Sequence, residues 1–129
     1  MKTLDRDLQI LQHILTYCNR IKQTVERFGE DKDIFLSDRD YIDSVSMNLL
    51  QIGELAGKFS DGFIERCKSE IDWRAIRGMR NLFAHAYGTM DSDRIWDTVI
   101  YDVPQLKEYC MNELDIEPEL DSGGPTLTM

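Results

Sequence analysis

Twelve residues, Arg77 to Gly88, read RGMRNLFAHAYG. They set two arginines, an asparagine, a histidine and a tyrosine in a run that is otherwise small or apolar. On an ideal helix, at ~100° per residue, Arg74, Arg77, Asn81 and His85 form one stripe. Arg80 and Tyr87 share a second line, within about 20° of each other. Arg80 and His85 leave an unbroken helix about 140° apart. They converge only if the helix loosens near Ala84 or the Arg80 side chain bends around.

Such groups suit the breaking of an RNA phosphodiester. That reaction needs a base to take the proton of the 2′-hydroxyl, and a cation beside the charge growing on the phosphorus oxygens. Histidine supplies the first near neutral pH. Arginine supplies the second with a planar fork that fits phosphate. His85 and Arg80 are therefore the candidate catalytic pair. Asn81 and Tyr87 are placed to hold the ring or a phosphate oxygen, and Arg74 and Arg77 to extend a positive rim. On spacing alone a plainer reading stands beside this one. A histidine at a helix end caps the last carbonyls, a tyrosine beyond it anchors with a wet tip, and the arginines form a solvated face paired with carboxylates.

No metal is required, and no His, Cys or Asp cluster has metal-ligand spacing, so no cofactor is expected. The segment DKDIFLSDRD lacks the glycine and distal glutamate of a calcium loop. Asp38, Asp40 and Asp43 read as a helix start that favours negative charge. Glu54 follows Gly53 on a helix expected to face the motif, and is a candidate to pair with Arg77 or Arg80 and orient it. His13 reads as a polar-edge residue, and Trp73 and Trp96 as core or interface.

The elements that must position these groups are helical. Leu4, Leu8, Leu11, Leu15, Cys18, Ile21, Val25 and Phe28 predict an amphipathic helix from about Thr3 to Phe28, stopped by Gly29. EDKDIFLS reads as a charged connection. Ser37 or Asp38 caps a second helix whose stripe is Ile42, Val45, Leu49, Ile52, Ala56 and Phe59. Met47 and Leu50 lie off that stripe and suggest a second apolar side. A short helix spans roughly Gly62 to Lys68. Asp72 caps the motif helix, buried through Ile76, Met79 and Phe83, with Gly88 at the usual C-terminal glycine position. Asp91 opens a fourth helix with Ile95, Trp96, Val99, Val103, Leu106 and Cys110, which Pro104 should kink or split. The expected fold is all-α, an antiparallel four-helix up-down bundle with an additional short helix. One domain covers residues 1–116, and the polar 117–129 segment reads as a disordered tail.

A chain of 129 residues is the size of one domain. Its formal charge of −9 argues against broad nucleic-acid affinity. Basic groups for RNA must then be local, or pooled between chains; an acidic body also suits docking on a basic partner. The three cysteines, Cys18, Cys67 and Cys110, are far apart and read as reduced core thiols of a cytoplasmic protein. No stretch approaches the ~20 apolar residues of a membrane helix, and the charged N-terminus does not resemble a signal peptide.

RNLFAHAY resembles the R-x-x-x-x-H-x-Y signature of the HepT-like toxins of the HEPN superfamily, through Arg80, His85 and Tyr87, with Asn81 after the arginine. IDWRAIRGMRN is similar to the opening of that family's motif helix, NLLQIGELAGKF to its second helix, and IWDTVIYDVPQLKEYC to its fourth. The resemblance spans about Leu4 to Leu114. It implies a homodimer whose two motif helices meet in one cleft. It implies metal-independent RNA cleavage leaving a 2′,3′-cyclic phosphate, with Arg80 and His85 essential. It also implies a toxin of a type II/VII-like toxin–antitoxin pair, whose antitoxin is a minimal nucleotidyltransferase. Tyr87 then matches the acceptor of AMP groups. The alternative is a non-catalytic module of the same fold that docks a nucleotidyltransferase or a nucleotide without cutting RNA.

Overall fold

A computed structural model describes the chain from Lys2 to Ile116, with side chains described from Arg6 onward. The expected tail at 117–129 lies outside the described residues. The described chain is helical throughout, with no strand. Its α-helices are α1 (Lys2–Phe28), α2 (Lys32–Ser37), α3 (Arg39–Ala56), α4 (Asp61–Cys67), α5 (Trp73–His85), α6 (Ser92–Asp97) and α7 (Val103–Glu113). A 3₁₀ turn (Tyr87–Thr89) follows α5, and a π-helical segment (Thr98–Asp102) joins α6 to α7. The four long members of the bundle are therefore α1, α3, α5 and the composite α6–α7.

Alpha-3 is the axis of the bundle and packs between α1 and α5, while α1 also meets α7. Its expected stripe is buried in full, from Ile42 to Phe59. Of the expected second apolar side, Leu50 packs against the core. Met47 stays 57 % exposed, and the residues buried beside the stripe include the small Ser46 and Gly53. Small side chains let another backbone come close, and α5 does so at Gly53. Alpha-1 is gripped on two flanks, so Ile10 and Ile14 are buried as well as Leu11, Cys18, Ile21 and Val25. In α5 only Trp73 and Phe83 are fully covered, and Ile76 and Met79 are half-buried.

Local chemistry accounts for most boundaries. Gly29 ends α1 with φ +114°, its N–H donating to the Val25 carbonyl at 2.8 Å. Asp38 caps α3, accepting from the N–H groups of Asp40 and Tyr41. Asp72 caps α5 through Ala75 N–H, and Asp91 caps α6 through Asp93 N–H. Ser60 caps α4 through Phe63 N–H and is itself held by the buried Asp7, which accepts from its N–H at 2.9 Å and its hydroxyl at 2.6 Å.

The charged connection expected between α1 and α3 is instead the short helix α2. Asp31 caps it, and Phe35 drives it inward, wholly buried between the rings of Tyr41 and Trp96. Pro104 sits in the first turn of α7, where a missing N–H is tolerated. The split it was expected to cause takes the form of the π segment, where Val103 N–H bonds the Thr98 carbonyl five residues back.

The thiols of Cys18, Cys67 and Cys110 are free and buried. Burial pushes Cys18 up to about 12 and Cys110 higher still, so both stay protonated and inert. No helix among the described residues is long and apolar enough to cross a membrane.

Candidate functional site

Two lines of polar side chains leave α5. The first is Arg74, Arg77, Asn81 and His85, all facing solvent. Neither Arg74 nor Arg77 pairs with a carboxylate among the described residues, although the chain carries 24 acidic residues. His85 is exposed in the last turn of α5, and its ring has no hydrogen-bond or ion-pair partner among the described residues. The second line turns toward α3 and carries Arg80 and Tyr87.

Arg80 is held by its inner nitrogen. Nε donates to Glu54 Oε1 at 3.1 Å, and Nη1 donates to Asn81 Oδ1 at 3.3 Å. This pairing exists because α3 and α5 touch backbone to backbone at Gly53. A Cβ built there would stand 2.8 Å from Arg80 N and 3.1 Å from the Ile76 carbonyl oxygen. Glycine thus brings Glu54, its neighbour, within reach of the guanidinium. Nε and Nη1 are thus engaged, while Nη2 makes no hydrogen bond among the described residues.

Alpha-5 remains helical through His85. The loosening near Ala84 that would bring Arg80 and His85 together does not occur, and no hydrogen bond joins them. The helix is left only at Ala86, with φ −131° and ψ 15°, whose N–H still bonds the Leu82 carbonyl. Gly88 sits in the 3₁₀ turn without a positive φ, so the expected glycine stop is replaced by an ordinary residue at that exit.

Tyr87 is seated on the start of α3. Its hydroxyl donates to Asp43 Oδ1. Arg39 Nη1 donates to the same Asp43 oxygen at 3.3 Å and to the Tyr87 oxygen at 3.4 Å, with its guanidinium 5.9 Å from the tyrosine ring centroid. Phe83 lies 6.1 Å from that ring on the inner side. Burial, then the bond to Asp43, holds the Tyr87 hydroxyl pKa above the usual tyrosine range. Asp43 and Arg39 were not among the expected site residues. Their i, i+4 spacing shows that they can pair, but not that they meet a residue 44 positions away.

A groove of about 470 Å³ opens on a different side of α5, among Met79, Leu82, Phe83, Ile95 and Leu106. None of Arg80, His85 and Tyr87 lines it. Arg74, Arg77, Asn81 and His85 therefore stand exposed outside that groove, with Arg80 and Tyr87 half-buried beside them. No group of three or more His, Cys, Asp or Glu side chains among the described residues could hold a metal ion.

Residues 14–113 match the family model described as ribonuclease HepT-like. A protein of Caldanaerobacter subterraneus subsp. tengcongensis named "Putative RNase" is 29 % identical over 98 residues, spanning 76 % of this chain and 85 % of its own. A "Probable ribonuclease HepT" of Thermococcus cleftensis is 37 % identical over 73 residues, 57 % of this chain and 66 % of its own. A "Putative RNase" of Methanocaldococcus jannaschii is 32 % identical over 88 residues, 67 % of this chain and 72 % of its own. No solved structure matches the chain significantly.

Proposed function

The chain belongs to the ribonuclease HepT-like family, and from that premise we propose that it is a metal-independent endoribonuclease acting as the toxin of a toxin–antitoxin pair. His85 takes the proton of a ribose 2′-hydroxyl. The 2′-oxygen attacks the adjoining phosphorus, the bond to the 5′-oxygen breaks, and that oxygen leaves as a 5′-hydroxyl with a proton from solvent, so that a 2′,3′-cyclic phosphate remains. Arg80 offers its guanidinium, through Nη2, to the phosphorus oxygens as charge grows there. Glu54 orients that guanidinium. Arg74, Arg77 and Asn81 hold flanking phosphates.

One observation carries this reading. On a chain of net charge −9, Arg74 and Arg77 project beside His85 with no carboxylate among the described residues to neutralise them. Such a stripe is suited to phosphate. Arg80 and His85 diverge within one chain, so we place the working site in a homodimer, where the Arg80 of one chain serves the His85 of the other.

The partner is a minimal nucleotidyltransferase antitoxin. Transfer of an AMP group from ATP to the Tyr87 hydroxyl, with pyrophosphate leaving, removes the hydrogen bond that Asp43 accepts and places a phosphodiester charge beside that carboxylate. It also crowds the face that RNA must reach. The chain is proposed to work in the cytoplasm.

The test is cleavage of RNA by the purified protein in EDTA, with His85→Ala alongside and the intact mass of both measured. Cyclic-phosphate ends that need His85 support the reading. Undiminished cleavage by a clean His85→Ala preparation overturns it. A second reading, a module that docks a nucleotidyltransferase without cutting, is favoured by the net charge of −9, which suits docking on a basic partner. Tight partner binding by protein of unmodified mass, without cleavage, selects it.

A further inference from the structure

His85 is the last residue of α5, and helix ends fray. Its ring is held by no other described side chain, so its place depends on how firmly the chain beyond it is tied. Within the turn, Thr89 N–H bonds the Ala86 carbonyl and Met90 N–H bonds that of Tyr87. These bonds shape the turn but do not fasten it to the bundle. The polar fastening is at Tyr87, two residues past His85. Its hydroxyl lies on Asp43, and Arg39 bridges the two. The ring beneath is wedged against Phe83.

We infer that Asp43 and Arg39 are positioning residues for RNA cleavage: they seat the Tyr87 hydroxyl on α3 and thereby hold the end of α5 that carries His85. The inference rests on the reading of His85 as the base. It gives Tyr87 a structural duty in the unmodified protein, separate from any role as an acceptor. It also assigns a task to an acidic cluster that otherwise reads as a simple helix start. Asp38 caps α3, whereas Asp43, one turn further along, faces the tyrosine.

Four proteins test this: Asp43→Ala, Asp43→Asn, Tyr87→Phe and the Asp43→Ala/Tyr87→Phe double variant. Each is measured for steady-state RNA cleavage and for amide hydrogen exchange over residues 85–90. Asp43→Ala and Tyr87→Phe should each speed exchange in that segment. Each should lower kcat on the order of tenfold, since a small misplacement of a reacting group has an effect of that size or more, while KM changes by about twofold or less. Asp43→Asn keeps an acceptor oxygen and should restore most of both. The double variant should be no worse than either single one, because both changes break the same hydrogen bond.

Cleavage that needs His85 but is indifferent to Asp43→Ala overturns the proposal alone, as does full additivity in the double variant. Unchanged exchange over residues 85–90 overturns it too. Cleavage that ignores His85→Ala overturns the reading of the site, and the proposal with it.

Discussion

Gly53 and Arg80 meet at the closest approach of α3 and α5, where a Cβ on the glycine would fall 2.8 Å from the arginine's backbone nitrogen. Gly53→Ala must therefore push the two helices apart. In an exposed helix the change would gain up to about 1 kcal/mol from helix propensity. Here overpacking against backbone costs about 1–3 kcal/mol and outweighs it. The melting temperature should fall by a few degrees. Cleavage should fall further than stability explains, because the Arg80–Glu54 pair is displaced. Thermal melting and kinetics of the one variant check both statements.

Glu54→Ala should separate orientation from stability. Each partner of the pair is 43 % exposed, so its removal should cost no more than about 1 kcal/mol. With Arg80 freed from Glu54, kcat should fall by roughly tenfold. Glu54→Gln retains an oxygen for Nε–H and should lie between. Wild-type kinetics in Glu54→Ala would show that Arg80 orients itself without help.

Arg74→Ala and Arg77→Ala should act on binding. Neither touches the reacting atoms in the proposed scheme, so KM should rise with little change in kcat. The dependence of log affinity on log salt should become shallower by about one unit for each phosphate that is no longer neutralised. A salt slope identical to that of the wild type would exclude these arginines from the RNA path.

The tyrosines give a pH signature. Of the five, Tyr87 has its pKa raised by burial and by Asp43. Burial pushes Tyr41 up to about 12 and Tyr109 higher. A raised folded-state value means the protonated form is favoured by folding. The stability this contributes is complete below the ordinary tyrosine value of about 10 and is lost as pH climbs through the folded values. Phenolate absorbance should therefore show a late-ionising fraction, part of which disappears in Tyr87→Phe. Ionisation of Tyr87 also removes its bond to Asp43, so the residue 85–90 segment should loosen in alkali before the fold is lost.

Much of this architecture was legible because its signals are local. Asp38, Asp72 and Asp91 cap the helices that their positions announce. The stripes of α3 and of the fourth helix bury as their spacing requires. Alpha-2 escaped because six residues are too few to show a period, and its one anchor, Phe35, carries no pattern by itself. The all-α class and the polar stripe on α5 followed from spacing. What spacing cannot convey is which exposed line faces which neighbour. Glu54 entered as a candidate because a glycine precedes it, and Gly53 does mark the place where the helices touch. Arg39 and Asp43 had no comparable marker. They meet Tyr87 only because the exit of α5 returns to the beginning of α3, a relation between residues more than forty positions apart.

The two tryptophans occupy separate aromatic nests. Trp96 lies with Phe35 and Tyr41 near the start of α3, and Trp73 with Phe59, Phe63 and Tyr109 beyond its end. The 18 residues of α3 put roughly 27 Å between those ends. The molecule therefore carries an intrinsic fluorophore at each pole, and the Trp96 pole is the one where Tyr87 is seated. In a Trp73→Phe background, emission would report on the end that holds Arg39 and Asp43. In a Trp96→Phe background, it would report on the distal end, so events at the two poles can be timed separately without adding a dye.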